Sequence, residues 1–229
     1  MFSVSDYCVA YGKSEVINNL HMNIRKNEIV AILGRNGMGK TTLMKSLIGM
    51  IPSQSGVLKL EGKDISALKS HQRVAAGIAF VPQGRMIFST MTVKENIETG
   101  LTTVKDKKIP QELYDMFPVL EEMKSRRGGN LSGGQQQQLA IARALASKPK
   151  MILFDEPTEG IQPSIIHEIA RTLKKIRDEK GLSIVVSEQV LSFALDIADR
   201  ILVIEKGKFV REEMREFVDQ EKVSAYLSV

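Results

Sequence analysis

The segment GRNGMGKT, residues 34–41, constrains the fold of this chain more than any other feature. It follows an apolar stretch, residues 28–33, and precedes residues 42–50, which have a helical pattern. The spacing G-x-x-x-x-G-K-[ST] between a strand and a helix is typical of a phosphate-binding loop, where glycines let backbone N–H groups face an anion. A turn that is merely rich in glycine would not explain Lys40 and Thr41 at these positions.

Two side chains of this loop suit a nucleoside triphosphate. Lys40 supplies a positive charge for the β- and γ-phosphate oxygens, and the hydroxyl of Thr41 can ligate Mg²⁺. The candidate ligand-binding residues of the segment are Gly34, Asn36, Gly37, Gly39, Lys40, Thr41 and Thr42. The loop therefore predicts one nucleotide-binding unit in the chain.

An acidic pair, Asp155 and Glu156, ends a second apolar strand at residues 151–154. At such a position Asp155 is expected to face the magnesium ion, usually through water, and Glu156 to orient and deprotonate an attacking water. An acidic strand end alone is weak evidence. Beside a phosphate loop it becomes strong, because each motif supplies groups that the other lacks.

The composition excludes several classes of protein. The chain has 229 residues, of which 43% are hydrophobic, and one cysteine, Cys8, so we expect a folded protein without an internal disulfide. Residues 1–15 do not resemble a signal peptide, and no apolar run approaches the roughly 20 residues of a membrane span. We therefore expect a soluble chain. The net charge is +5, but basic and acidic residues alternate, as in residues 174–180, so nucleic-acid binding is not expected.

The apolar runs predict an α/β fold with a mainly parallel sheet and crossover helices. Core strands are expected at Ile29–Leu33, Ile78–Val81 and residues 151–154, 183–186 and 201–204. An antiparallel flank is expected from residues 4–10, 20–24 and 57–60. Helices are predicted at residues 92–101, 111–116 and 135–147, from Pro163 to near Gly181, and over the C-terminal residues 212–227. The chain is thus expected to be one domain, with a core of residues 1–83 and 147–229 and a helical subdomain of residues 84–146.

The segment LSGGQ, residues 131–135, predicts the start of a helix. Ser132 suits the N-cap, and Gln135 three residues later completes a capping box. The positive end of the helix dipole would attract a phosphate. Capping alone leaves Gly133 and Gly134 unexplained, and we expect these glycines to let a nucleotide approach closely. The following glutamines, residues 136–138, are interpreted as part of the helix and not as a low-complexity tract.

The phosphate loop, LSGGQ and the acidic pair, in that order and with Gln83 between the first two, resemble the ATP-binding subunits of ABC transporters. The resemblance covers essentially the whole chain and implies a P-loop ABC ATPase cassette that uses ATP and Mg²⁺. It also implies a head-to-tail dimer with an identical or paralogous ATPase subunit, in which Ser132, Gly133, Gly134 and Gln135 face the partner's phosphate loop. Integral membrane permease subunits and, indirectly, a solute-binding protein are further implied partners. They would place the chain at the cytoplasmic face of the cell membrane.

Single positions also match motifs of that family. Tyr11 matches the aromatic residue that stacks on adenine, with Val16 nearby, although a core tyrosine is the alternative. Gln83 matches the glutamine that senses magnesium and the attacking water. Residues 84–88 lie where such subunits receive a helix of the permease.

Two departures from the family pattern indicate a subgroup. Gln162 stands where most members have an aspartate that touches the partner subunit, and Gln189 replaces the histidine that contacts the γ-phosphate. A glutamine can donate a hydrogen bond but cannot carry a proton's charge, which leaves Glu156 as the main catalytic candidate, with Lys40, Gln83 and Gln189. These features resemble the branched-chain amino acid importer group. Within it, residues 131–143 and 155–166 most resemble the ATPase subunit of urea uptake systems.

Two alternatives remain at this point. The glutamines at positions 162 and 189 are also compatible with a clamp in which ATP-driven dimerisation matters more than hydrolysis. A cassette protein that acts on ribosomes or DNA is the other possibility, although such proteins typically carry two cassettes or long coiled insertions, and this chain has neither.

Overall fold

A computed structural model describes residues 1–227, in which the strands form two sheets. The strands are β1 Phe2–Tyr11, β2 Ser14–Ile24, β3 Ile29–Leu33, β4 Ser55–Leu60, β5 Lys63–Asp64, β6 Ile78–Val81, β7 Met151–Asp155, β8 Ser183–Glu188, β9 Arg200–Glu205 and β10 Lys208–Met214. The helices are α1 Lys40–Leu47, α2 Ser70–Ala76, α3 Val93–Thr99, α4 Gln111–Met116, α5 Pro118–Glu122, α6 Gly133–Ala146, α7 Pro163–Lys180, α8 Leu191–Ile197 and α9 Gln220–Leu227. None of the helices within residues 1–227 has the length and hydropathy needed to cross a bilayer.

The central sheet has six strands in the order β10-β9-β3-β8-β7-β6, and all its pairs are parallel except β9 with β10. Every residue of β3, β7 and β8 is buried, as expected of apolar strands covered on both faces. Because β8 lies between β3 and β7, their carboxyl ends meet at one edge of the sheet. The phosphate loop, Glu156 and Gln189 leave the sheet at this edge, where open α/β sheets bind ligands.

Successive residues of the central strands enter different hydrophobic cores. Val30 and Ile32 of β3 pack in a core with the four-stranded sheet β2-β1-β4-β5 and α1. Ile29 and Ala31 pack in a second core with helices α3 to α8. The predicted antiparallel flank is confirmed by the antiparallel pairs of β1 with β2 and β4. The central sheet is therefore the middle of three layers, and the overall α/β fold class is confirmed.

The segment between β6 and β7 is mainly helical, as expected. Thr92 caps α3 and forms a capping box with Glu95, so the helix begins at Val93. Arg143 of α6 reaches back to the loop after Gln83, where it donates to the carbonyl oxygens of Met86 and Arg85 at 2.9 and 3.3 Å. The helices thereby stay connected to the edge of the central sheet that carries the functional residues.

The prediction of a helix over residues 212–227 is wrong for its first half. The chain continues as β10 to Met214 and forms a short 3₁₀ turn at Arg215–Phe217 before α9 begins at Gln220. The apolar residues there have irregular spacing, which does not separate a helix from an edge strand. Strand pairing determines the structure of this segment. The backbone N–H and C=O groups on the outer side of β9, from Glu205 to Arg200, pair with β10.

Candidate active site

The phosphate loop connects the end of β3 to the start of α1, as the motif predicts. Gly39 precedes the helix with φ of 103°, a conformation that L side chains rarely adopt. A Cβ atom there would also lie 2.9 Å from Cδ1 of Ile17. Asn36 and Gly37 are exposed at the tip of the loop, and Thr41 and Thr42 are half-buried in the first turn of α1. The tip of the loop is therefore open to solvent, while Gly39 and Lys40 at the start of α1 are buried.

Lys40 is buried in the middle of this arrangement. Its Nζ lies 3.0 Å from Oε1 of Glu156, and it donates to the carbonyl oxygens of Gly34 and Arg35 at 2.6 and 3.0 Å. The side chains of Lys40 and Glu156 are only 3% and 6% exposed, so this is a desolvated ion pair. The structure thus joins the predicted phosphate-binding lysine directly to the predicted catalytic base.

Glu156 has a strained backbone that β8 holds in place. Its φ of 47° is in the left-handed region, which costs of order 1–3 kcal/mol for a residue other than glycine. Its amide donates to the carbonyl oxygen of Ser187 at 3.0 Å. Its Oε2 accepts from Nε2 of Gln189 at 2.9 Å and from Nε2 of Gln83 at 3.4 Å. Lys40, Gln83 and Gln189 therefore converge on the carboxylate of Glu156, the fourth predicted catalytic residue.

Asp155 and Thr41 lie beside this cluster in an arrangement that fits a divalent cation. Oδ1 of Asp155 accepts from the hydroxyls of Ser187 and Thr41 at 2.6 and 3.2 Å. Oδ2 is buried and has no hydrogen-bond partner among residues 1–227. Burial raises the pKa of Asp155, against the effect of the two hydroxyls. A desolvated carboxylate oxygen next to a threonine hydroxyl is a donor set that suits a hard cation such as Mg²⁺.

Three residues of this region were not singled out from the sequence. Ser187 holds Asp155, while Thr158 and Glu188 hydrogen-bond to each other next to Gln189. The hydroxyl of Ser187 and the carboxylate of Glu188 are polar groups at the end of an otherwise apolar strand. That pattern could have identified Ser187 and Glu188, but it does not extend to Thr158, which lies in the loop after β7.

Tyr11 is the last residue of β1, and Val16 lies near the start of β2. The side chain of Tyr11 is 54% exposed, so the alternative of a core tyrosine is wrong. The carbonyl oxygen of Val16 lies 3.3 Å from the position that a Cβ atom on Gly39 would take. Val16 therefore lies beside the phosphate loop and Tyr11 is accessible, and the role of both residues in adenine binding stays a prediction.

Residues 132–135 form the predicted helix start. The hydroxyl of Ser132 accepts from the amide of Gln135 at 3.3 Å, and the Gln135 side chain accepts from the amide of Ser132 at 2.9 Å. Within residues 1–227, no hydrogen bond joins Ser132 or Gln135 to the phosphate loop, and Ser132 is exposed. A Cβ atom on Gly134 would lie 2.7 Å from Cγ2 of Ile165, so this glycine also has a packing role within its own chain.

The glutamine tract continues this helix. Gln137 is buried, and Gln138 donates to Oε1 of Glu168 on α7 at 2.6 Å. The interpretation of the tract as helix is confirmed. Gln162 occupies the N-cap position of α7, without a side-chain hydrogen bond to the helix.

The chain is similar to known proteins over most of its length. The family model described as ABC transporter matches residues 17–159. The chain is 38% identical over 216 residues to the high-affinity branched-chain amino acid transport ATP-binding protein BraG of Pseudomonas aeruginosa, covering 93% of this chain and 92% of BraG. It is 35% identical over 201 residues to the probable branched-chain amino acid transport ATP-binding protein LivF of Archaeoglobus fulgidus, covering 86% and 85% of the two chains.

The names of other relatives refer to other transport processes. The lipopolysaccharide export ATP-binding protein LptB of Haemophilus influenzae is 33% identical, with 88% of this chain and 85% of LptB covered. Among solved structures, the ATP-binding cassette MJ0796 in a dimeric post-hydrolysis state bound to ADP and phosphate has a TM-score of 0.84 at 27% identity. The match covers 94% of this chain and 99% of that chain. The chain therefore belongs to the ABC transporter family and is one of its ATP-hydrolysing subunits.

Proposed function

We propose that this chain forms a head-to-tail ATPase dimer that powers uptake of a small polar solute through a separate membrane permease. The observation that carries the proposal is the convergence of Lys40, Gln83 and Gln189 on Glu156, next to the Thr41–Asp155 pair. A clamp that only binds ATP would not need a buried carboxylate held in a strained conformation. Hydrolysis needs a carboxylate placed to accept a proton from the attacking water.

In the proposed reaction, Glu156 orients the attacking water and accepts its proton. Lys40 neutralises charge on the phosphate oxygens, and Gln83 and Gln189 hold the carboxylate at its Oε2 atom. Because glutamine cannot act as an acid or a base at neutral pH, proton transfer falls to Glu156 alone. A magnesium ion held by Thr41 and Asp155, with Gln83 nearby, would neutralise charge on the β- and γ-phosphates.

We infer the dimer from the helix start at Ser132, which is exposed and makes no hydrogen bond to the phosphate loop within residues 1–227. Its exposed capping box leaves N–H groups of Gly133 and Gly134 available at the positive end of α6. A second copy, identical or paralogous, would supply this end to the nucleotide of the first. The solved dimer of a cassette at 27% identity supports such an assembly.

A groove between the central sheet and the helical segment suits a permease helix. It has a volume of about 440 Å³ and is lined mostly by apolar side chains, with Met50, Met86 and Phe88 exposed. Arg143 stacks on Phe88, 5.5 Å from the ring centroid, and so links α6 to the groove. We propose that integral membrane subunits dock here and hold the chain at the cytoplasmic face of the membrane, with a solute-binding protein acting through them.

The proposed solute is urea, a short-chain amide or a branched-chain amino acid. BraG and LivF, whose names refer to branched-chain amino acid transport, support the last of these. Residues 131–143 and 155–166 favour urea by resemblance to urea-uptake ATPases. The ATPase does not contact the solute, so these arguments concern the family and not the site.

The experiment that tests the proposal measures phosphate release by the wild-type chain, alone and reconstituted with its permease and solute-binding protein. We expect hydrolysis that rises when the loaded binding protein is added, with urea, acetamide and leucine compared as solutes. ATP-dependent dimerisation without phosphate release in either setting would favour the clamp and overturn the proposal.

A further inference from the structure

Glu188 is a buried carboxylate that the proposed reaction does not use. It ends β8 and is 2% exposed. Oε1 accepts from the hydroxyl of Thr158 at 2.5 Å and from its amide at 3.2 Å. Oε2 accepts from the amides of Gln189 and Val190 at 2.9 and 3.2 Å. Oε1 therefore binds the loop that contains Thr158, and Oε2 binds the loop that contains Gln189 and Val190.

The backbone of Glu188 reaches a third functional segment. Its carbonyl oxygen accepts from the amide of Gly34, the first residue of the phosphate loop, at 3.3 Å. The residue before it, Ser187, binds Asp155 and the amide of Glu156. Glu188 thus lies where the phosphate loop, the loop after β7 and the Gln189 loop meet.

The chemistry of the site requires a carboxylate. Its donors are one hydroxyl and three backbone amides, so both side-chain oxygens must accept hydrogen bonds. A glutamine could place an oxygen at one end only, and its NH₂ group would then face donors at the other end. Burial raises the pKa of Glu188, partly offset by these hydrogen bonds, and such a desolvated acid is costly to keep without a specific use.

We propose that Glu188 is a positioning residue that fixes the Thr158 loop and Gln189 relative to each other, and so holds Gln189 on the carboxylate of Glu156. The inference rests on the proposed role of Gln189 in hydrolysis. Glu188 acts through Gln189 and does not itself touch the reacting atoms.

The test uses the full-length chain with Glu188→Ala, Glu188→Gln and Thr158→Val, and with Thr158→Ser as the conservative variant. We expect kcat to fall by about 10- to 100-fold in the first three, since misplacement of a catalytic group has effects of this size. We expect Thr158→Ser to retain activity and the Kd for ATP to stay within about twofold, since the phosphate loop keeps its own contacts.

Two measurements separate positioning from a general loss of stability. Ser183→Ala removes a buried hydroxyl at the opposite end of β8, and it should lower Tm without a matching fall in kcat. Combining Glu188→Ala with Gln189→Ala should lower kcat no further than Gln189→Ala alone, because both changes remove the same contact to Glu156.

The inference is overturned if Glu188→Ala and Thr158→Val keep kcat within about twofold of wild type, or if the losses of Glu188→Ala and Gln189→Ala multiply. If Glu188→Ala does not fold, Thr158→Val decides, because it removes one hydroxyl only. The proposed function fails separately, through a wild-type chain that does not hydrolyse ATP or a Glu156→Gln variant that does.

Discussion

Nζ of Lys40 and Oε1 of Glu156 lie 3.0 Å apart in a buried ion pair. The lysine is thus paired with the carboxylate while it also donates to the carbonyl oxygens of Gly34 and Arg35. Phosphate oxygens can reach Lys40 only by replacing some of these partners. We infer that ATP competes with Glu156 for Lys40, and that the carboxylate is then held by Gln83 and Gln189 and is free to contact water.

Glu156→Gln tests this competition. We predict that turnover falls by roughly 10²–10⁴-fold, which is the usual contribution of a general base. ATP affinity should be retained or increased, because the neutral amide competes less well for Lys40, and ATP should raise Tm more than in wild type. Phosphate release and thermal shift with ATP measure the two effects. Glu159→Gln makes the same chemical change at an exposed position, so its turnover and its thermal shift with ATP should stay near wild type. Near-normal hydrolysis by Glu156→Gln would contradict the role of Glu156 as general base.

Tyr11→Ala tests the proposed adenine contact. The exposed ring carries little of the hydrophobic core, so we expect Tm without nucleotide to change little. ATP affinity should fall by about 1–3 kcal/mol, the usual range for stacking of a base on an aromatic ring. Binding of inorganic tripolyphosphate, which has no base, should stay the same, and Tyr11→Phe should bind ATP normally. An equal loss for both ligands would show that Tyr11 supports the phosphate loop and does not stack on adenine.

Gly133→Ala and Gly134→Ala should have different effects. A Cβ atom on Gly134 would overlap Ile165, so we expect a loss of about 1–3 kcal/mol in the free energy of unfolding, which Ile165→Ala in the same chain should relieve. On Gly133 the nearest atom is 3.4 Å away, so Tm should hold while ATPase activity falls by about tenfold or more. Urea denaturation measures the unfolding free energy of each variant, and phosphate release measures its ATPase activity. Equal destabilisation by the two substitutions would refute the assignment of separate roles.

Glu28→Gln tests a structural ion pair far from the reaction. Arg200 donates to both carboxylate oxygens of Glu28, at 2.8 and 2.9 Å. Burial raises the pKa of Glu28, but the hydrogen bonds and charge of Arg200, with the Arg25 amide, outweigh it and hold the pKa below its ordinary value of 4.5. At neutral pH we expect the variant to lose about 1.5–3 kcal/mol of unfolding free energy, since a charged hydrogen-bonded pair is lost while Arg200 keeps its ion pair with Glu212.

The pH dependence of this loss has a definite sign. Because the pKa of Glu28 is lower in the folded protein, its contribution is complete above 4.5 and disappears as the pH falls through the folded-state value. Urea midpoints of wild type and Glu28→Gln should therefore differ by a constant amount near neutrality and converge in acid. Glu61→Gln, at the exposed pair with Lys150, is the control and should change the midpoint little. A difference that grows in acid would contradict the assigned sign.

Much of the site could be predicted because its parts are local in sequence. The loop that ends at Lys40, the acidic strand end at Asp155 and the cap at Ser132 each depend on neighbouring residues, and the structure shows each where its motif predicts. The positions of strands β3, β7 and β8 follow from apolar runs in the sequence. These features can be predicted without knowing which strands are neighbours in the sheet.

The remaining features depend on contacts between distant segments. Glu188 binds Thr158, and Gly134 packs against Ile165, only because the register of β7 and β8 and the docking of α6 bring them together. The C-terminal residues form an edge strand because β9 offers them a partner, which their irregular apolar spacing does not indicate. Such pairings arise from tertiary structure, and a single sequence contains no direct signal for them.

Complementation between two inactive variants tests most directly whether Ser132 completes the active site of a second copy. Lys40→Ala disables the phosphate loop, and Ser132→Arg disables the helix start; each homodimer then lacks an intact site. A mixed dimer keeps one complete site, formed by the Lys40 of one copy and the Ser132 of the other. We predict that equal amounts of the two variants recover roughly a quarter of wild-type phosphate release, since about half of the dimers are mixed and each has one of two sites. A mixture as inactive as its separate components would contradict the account.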